Sequence, residues 1–187
     1  MSKQQTCLEG VRVLEMARVL AAPLAGQALG DLGAEIIKLE RPQVGDDNRW
    51  SGSRIAGDND IAPYSSGWIS ANRNKRSVTA DFAKPEGREL ILALAEKSDI
   101  FIENFLPGTL ARYGLGYEQM KARNPRIVYC SLTGFGQDGP QANQPGYDAV
   151  FQATSGMMDL SGLPDGAPGG GPLKAGFQIC DFASGIY

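Results

Sequence analysis

The sequence predicts an α/β fold built on a doubly wound, mainly parallel sheet. Three observations carry this. Short apolar runs alternate with helical segments along the chain. The first two runs are joined by a segment that carries its own helix start and stop signals. The apolar runs give way to polar or glycine-rich turns, the place where such sheets bind ligands.

VRVLEM (Val11–Met16) reads as a short buried strand. PLAGQALGDLG follows as a helix, with Pro23 suited to its first turn and Gly33 to its stop. AEIIKLE (Ala34–Glu40) is the second strand, so the unit is βαβ and its strands should run parallel. Arg41–Gly67, rich in Gly, Asp, Asn and Ser, has no sustained period and reads as a long loop of the kind that often carries function. KRSVTADF (Lys75–Phe82) is the third strand. The helix after it starts at Pro85 and Glu86, ends near Lys97, and sets Leu90, Ile91, Leu94 and Ala95 on one face. DIFIEN (Asp99–Asn104) is the fourth strand, PGTLARYG and YEQMKARNP are short helices, and RIVYCSLTGFG (Arg126–Gly136) is the fifth strand running into a turn. YDAVFQATSGMM is helical and Ser161–Pro172 is a flexible connection. The arrangement is Rossmann-like, which directs attention to residues 17–23, 40–42, 81–84, 104–112 and 132–148.

Composition narrows the chemistry. The 187 residues suffice for one domain with a core, and a net charge of -3 argues against nucleic acid as the main partner. No apolar run reaches membrane-spanning length and Met1–Gly10 is too polar for a signal peptide, so no membrane association and a cytoplasmic location are expected. Cys7, Cys130 and Cys180 form no CxxC pattern; the last two lie in apolar stretches and are expected to be buried, inert thiols. There is no histidine, which removes Ser-His-Asp and Cys-His groupings and the usual zinc sites from this chain.

Neither a P-loop nor a GxGxxG fingerprint is present, and the Gly-Pro-rich Ser161–Pro172 reads as a linker rather than a phosphate cradle. Lys38, Arg41, Arg73, Lys75, Arg76 and Arg112 sit near strand ends, where they either converge on an anionic ligand or form a solvated face. Asn104 and Phe105 are either ligand contacts or a cap and a core residue. Asp181, between AGFQIC and FASG, is either a helix N-cap or a nucleophilic carboxylate held at a helix start.

The blocks LEGVRVLEMARVLAAPLAGQALGDLGAEIIKLERPQVGDDNR, NRNKRSVTADFAKPEGRELI, SDIFIENFLPGTLARYGLGYEQM, NPRIVYCSLTGFGQDGP and PGYDAVFQATSGMM, in that order, resemble family III CoA-transferases of the CaiB/BaiF type from Leu8 to Tyr187. The resemblance implies a Rossmann-like large domain, a smaller second domain and two interlocked copies of the chain. It implies transfer of CoA from an acyl-CoA to a carboxylic acid, with CoA thioesters as substrates and no tightly bound cofactor or metal. It assigns Asp181 as the catalytic nucleophile, which passes through a mixed anhydride and an aspartyl-CoA thioester. A carboxylate is already anionic near neutral pH, so this chemistry suits a chain without histidine.

By the same resemblance Leu20, Ala21, Arg41, Ala80, Asp81, Phe82, Ala83, Asn104, Phe105, Arg112, Tyr147 and Asp148 contact CoA. The related α-methylacyl-CoA racemases place a histidine where PGYD has Tyr147, so two-base racemisation is disfavoured. GLGYEQM, YCSLTGFGQDGP and PGYDAV look most like dicarboxylate-handling members that use succinyl-CoA. Family members run to about twice this length. The expectation is therefore that residues 8–187 form the N-terminal part of the large domain, with the small domain and the return segment absent. A fragment of that kind is either part of an active parent or a non-catalytic CoA-binding remnant.

Overall fold

The computed structural model describes residues 6–55 and 63–187. Residues 1–5, part of the stretch read as too polar for a signal peptide, and 56–62, inside the expected loop, lie outside the described residues. Five parallel strands form one sheet: β1 (Arg12–Met16), β2 (Glu35–Glu40), β3 (Lys75–Thr79), β4 (Ile100–Glu103) and β5 (Val128–Ser131). Their order is β3-β2-β1-β4-β5, so the winding reverses between β1 and β4 and opens a crevice at their carboxyl ends.

The helices are α1 (Ala21–Asp31), α2 (Ser66–Ser70), α3 (Pro85–Ala95), α4 (Thr109–Arg112), α5 (Tyr117–Arg123), α6 (Asp148–Thr154), α7 (Met157–Leu160) and α8 (Ile179–Ile186). Helix α1 stops where Gly33 takes a φ of 105°, a conformation open to glycine and costly for other residues. Two apolar clusters flank the sheet. One packs Leu14, Ile91, Ala95, Phe101, Leu115 and Met120, and the other Val13, Ala17, Ala22 and Ile36. Each is built from strand residues of alternating direction and the inward side of a helix. No helix among the described residues is long and apolar enough to cross a membrane.

Several local expectations are corrected. In α3, Ile91 and Ala95 are buried but Leu90 is exposed, because the inward stripe is narrower than the sequence pattern suggested. The third strand ends at Thr79, so Ala80–Ala83 form the turn into α3, with Asp81 Oδ1 accepting from Ala83 N at 3.0 Å. The long loop contains a 3-10 turn, Asp47–Trp50, and an isolated bridge from Arg54 to Ser65, and it ends inside the first turn of α2. The linker also closes on itself, through a bridge from Leu163 to Gly171. Cys130 is exposed on the edge strand and Cys180 is half-buried, so neither is the core thiol that its apolar neighbours suggested.

Candidate active site

The crevice between β1 and β4 is tied shut at its base by Asn104. Its Oδ1 accepts from Arg18 N at 2.9 Å and its Nδ2 donates to Arg18 O at 2.7 Å. The side chain expected to bind a ligand thus joins the two strand ends, and its amide is already engaged. The next residue, Val19, has a φ of 69°. A β-branched residue there costs on the order of 1–3 kcal/mol and persists only where its surroundings impose it. Those surroundings are Asp46, whose Oδ1 accepts from Val19 N at 3.0 Å, and Asn48, whose Nδ2 donates to Val19 O at 2.8 Å.

Asp46 is in turn part of a buried charge cluster beneath the turn. Lys38 Nζ lies 2.9 Å from both Glu15 Oε1 and Asp46 Oδ2, and all three side chains have no solvent exposure. Lys75 Nζ lies 2.7 Å from Glu15 Oε2. Burial works against the Lys38 ammonium, but its two carboxylate neighbours outweigh that and hold its pKa above the ordinary lysine value. Glu40 is fixed alongside by a two-pronged pair with Arg49, at 2.6 and 2.7 Å, and accepts from Asp46 N at 2.9 Å. Burial pushes its carboxyl up, yet the Arg49 and Ser77 donors bring it down to about 2.

The two alternatives left open for the six cations near strand ends resolve differently from residue to residue. Lys38 and Lys75 serve the buried cluster. Arg73 and Arg76 flank the amino end of β3 and pair with Asp31 and Glu35. Arg112 is exposed and lines neither of the two cavities of the crevice. Arg41 remains, and Arg18 joins it. Arg18 Nη1 pairs with Asp47 Oδ2 at 3.0 Å, and Arg41 Nη2 pairs with Oδ1 of the same carboxylate. The arginine directly after the first strand and its acidic partner were not singled out from the sequence; their place at a strand's carboxyl end was the available signal.

A cavity of about 300 Å³ is walled by Leu39, Arg41, Ala80, Phe82, Phe105 and Arg18, among others. A second, of about 740 Å³, is walled by Arg18, Leu20, Ala21, Phe105, Tyr147 and Asp181, among others. Arg18, Phe105 and Thr109 line both, so the two form one trough along the crevice. Phe105 lies beneath the Arg18 guanidinium at 5.1 Å and meets Phe82 edge-on at 5.8 Å between ring centroids. Asp81 and Ala83 lie in the turn outside the trough, and Asp148 is behind its wall.

Asp181 sits in the first turn of α8, not at its N-cap, which is Gln178. Its carboxylate makes no hydrogen bond or ion pair with a described residue, although its backbone N–H donates to Asp148 Oδ1 at 3.3 Å. Burial, and then the Asp148 charge, push the Asp181 carboxyl above its ordinary value. The sequence-expected residues Leu20, Ala21, Asn104, Phe105, Tyr147 and Asp181 thus share one cavity, while Arg41, Ala80 and Phe82 share its extension. An unpaired carboxylate facing an open, largely apolar trough with two arginines along it can act as a nucleophile toward an anionic acyl compound.

A profile of CoA-transferase family III matches residues 8–187. The chain is 46% identical over 191 residues to the succinate–glutarate CoA-transferase of Agrobacterium fabrum, covering all of this chain and 46% of that protein. It is 46% identical over 180 residues to the human succinyl-CoA:glutarate CoA-transferase, covering 96% of this chain and 39% of that one. Among solved structures, a CAIB/BAIF family protein from Brucella suis superposes with a TM-score of 0.90 at 47% identity, covering 98% of this chain and 47% of that one. The chain spans less than half the length of these relatives. Profile, relatives and superposed fold agree that the chain belongs to CoA-transferase family III.

Proposed function

We propose that the protein carrying this chain transfers CoA from an acyl-CoA to a carboxylic acid, with Asp181 as the covalent nucleophile. The observation that carries this reading is the free, half-buried Asp181 carboxylate on the wall of the larger cavity. A carboxylate oxygen attacks the donor thioester carbonyl, the C–S bond breaks, and CoA leaves as thiolate. The thiolate then attacks the aspartyl carbonyl of the resulting anhydride, releasing the donor acid and leaving an aspartyl-CoA thioester. The acceptor carboxylate repeats the exchange in reverse. Each step interconverts carboxylate and thiolate, so no proton has to be moved. Both acyl intermediates are lost to water if it enters, so the trough must be covered during turnover.

The trough also suggests how CoA lies. The acyl-thioester end faces Asp181, the phosphates run past Arg18 and Arg41, and the adenine occupies the smaller cavity between Phe82 and Leu39. The names of the relatives favour succinyl-CoA as donor and a dicarboxylate such as glutarate as acceptor. We read residues 8–187 as part of the Rossmann-like domain of a longer, homodimeric protein. That assembly is tested by its mass in solution.

Trapping with hydroxylamine or borohydride in the presence of succinyl-CoA should mark the peptide containing Asp181. An active enzyme with no adduct there would refute the reading. Racemisation predicts α-proton exchange of a 2-methylacyl-CoA instead. With Tyr147 on the cavity wall at the position where those racemases carry histidine, we expect none.

A further inference from the structure

An aspartate in the first turn of a helix ordinarily folds back onto that helix's own free N–H groups. Doing so would engage the carboxylate oxygens and lower their basicity, both of which weaken a nucleophile. In α8 the Asp181 carboxylate makes no such bond, and another carboxylate takes two of the donors of that turn. Asp148, the first residue of α6 and only 6% exposed, accepts through Oδ1 from Cys180 N at 2.8 Å and from Asp181 N at 3.3 Å. The N-cap residue Gln178 makes no side-chain cap of its own.

Asp148 is itself held by Gln152, one turn further along α6 and fully buried. Gln152 Nε2 donates to Asp148 Oδ2 at 2.5 Å and also reaches Phe177 O at 3.3 Å. Its Oε1 accepts from Ala175 N at 2.8 Å. Two side chains of α6 therefore grip residues 175, 177, 180 and 181, the whole approach to the nucleophile. The far end of α8 is fixed independently. A Cβ on Gly185 would stand 2.5 Å from Ala21 O, so α8 lies directly against the start of α1.

We propose that Asp148, held by Gln152, is a positioning residue for the nucleophile: it fixes the first turn of α8 through the N–H groups of Cys180 and Asp181, so that the Asp181 carboxylate stays free and faces the trough. This revises the CoA contact that the family resemblance implied for Asp148, whose carboxylate is turned away from the cavity into a buried grip. It rests on the reading of Asp181 as nucleophile.

The groups facing Asp181 are few. Asp148 lies on α6 and Cys180 on α8 itself, while Tyr147, Arg18 and Asp47 line the same cavity. The start of α1, which α8 packs against, brings no titratable side chain.

The test compares Asp148→Ala and Asp148→Asn in the whole protein carrying this sequence, with Asp181→Asn as reference. Alanine removes both the grip and the charge. Its kcat should fall by roughly ten- to a hundredfold, the scale of a displaced reacting group, with KM for succinyl-CoA changed far less. Asparagine keeps an acceptor for the α8 N–H groups but not the charge. Its amide nitrogen replaces the oxygen that accepts from Gln152 Nε2, so it should recover part of the lost kcat while moving the acid limb of kcat to lower pH.

An alanine variant with kcat close to the parent's would overturn the proposal. So would an asparagine variant that neither recovers kcat nor shifts the acid limb. If the alanine variant does not fold, the acid limb of the asparagine variant decides alone: a shift supports the proposal and an unmoved limb overturns it. Asp181→Asn separates the two levels of the argument. Transfer that survives it refutes the nucleophile itself. A dead Asp181→Asn beside parent-like Asp148 variants refutes only the positioning role.

Discussion

Replacing Lys38 by methionine tests whether the buried cluster supports the site. Lys38 Nζ is 2.9 Å from a carboxylate oxygen of Glu15 and of Asp46, with no exposure on any of the three side chains. With charge centres about 4 Å apart and an effective dielectric of about 20, each pair is worth about 4 kcal/mol before desolvation is counted. Removing the ammonium forfeits both attractions and leaves two carboxylates facing each other, with only Lys75 to balance Glu15. Methionine fills most of the space and needs no hydration, which offsets part of the loss. The net expectation is about 3–5 kcal/mol of destabilisation, or a melting temperature lower by roughly 6–20 °C.

Urea unfolding followed by tryptophan fluorescence measures this, since Trp68 stacks on Arg49, which clamps Glu40 beside the cluster. Adding Asp46→Asn to Lys38→Met should restore more than half of the loss. It removes the unbalanced charge and keeps an oxygen for Val19 N and Asn48 N. A single variant within about 1 kcal/mol of the parent, or a double variant no better than the single, would refute the charge-balance argument.

The Glu40–Arg49 pair should govern acid stability. With its folded-state pKa brought down to about 2, Glu40 contributes stability that is complete above its ordinary 4.5 and disappears as pH falls through 2. The shift corresponds to about 3 kcal/mol; Arg49→Met should lose that order of stability at neutral pH and lose less on further acidification, as acid titration by circular dichroism would show. The transfer rate should rise with pH through an acid limb above the ordinary aspartate value of 3.8, because only ionised Asp181 attacks; a rate that is flat across this region would exclude it as the ionising nucleophile. Arg18→Met and Arg41→Met should each raise KM for acyl-CoA and weaken its salt dependence, whereas Asp47→Asn, which releases both guanidinium groups, should lower KM. Val19→Gly should leave unfolding stability unchanged or higher, because the 69° φ is then unstrained, while kcat falls as the turn carrying Leu20 loosens.

Much of the architecture was legible because it rests on short-range signals. Pro23, Gly33, Pro85 and Gly108 punctuate the chain, and the apolar runs between them are too short for helices and too apolar for loops. Asp181 and most of the residues that line the trough were named by the family resemblance, where local chemistry alone had left each a plainer alternative. What could not be read was pairing between distant side chains. Asn104 lines the larger cavity, but nothing local shows that its amide also meets the backbone of Arg18, a separation of 86 residues. Nothing local shows the partners of Asp148 either, which lie 32 and 33 residues on. One clue was present and unused: a glutamate within VRVLEM and a lysine within EIIKLE are out of place in buried strands. Parallel pairing makes Glu15 and Lys38 direct neighbours in register, and burial then requires that they pair.

These distant pairings share a direction. Glu15 and Lys38 hold Asp46, Asp46 and Asn48 hold Val19 in its strained turn, and Asn104 locks Arg18 between β1 and β4. From the other side, Gln152 holds Asp148 and Asp148 holds the first turn of α8. The two chains of contacts meet across one cavity, the first presenting Leu20 and Ala21 and the second presenting Asp181. A nucleophile that needs no base still needs a fixed distance to the carbonyl it attacks, and a displacement of about 1 Å is enough to cost a hundredfold in rate. On the proposed mechanism the buried polar side chains set geometry on both sides of the reacting bond. It follows that Lys38→Met and Asp148→Ala, though far apart in the fold, should both lower kcat more than they raise KM. A pure KM effect from either would show that its chain of contacts serves binding instead.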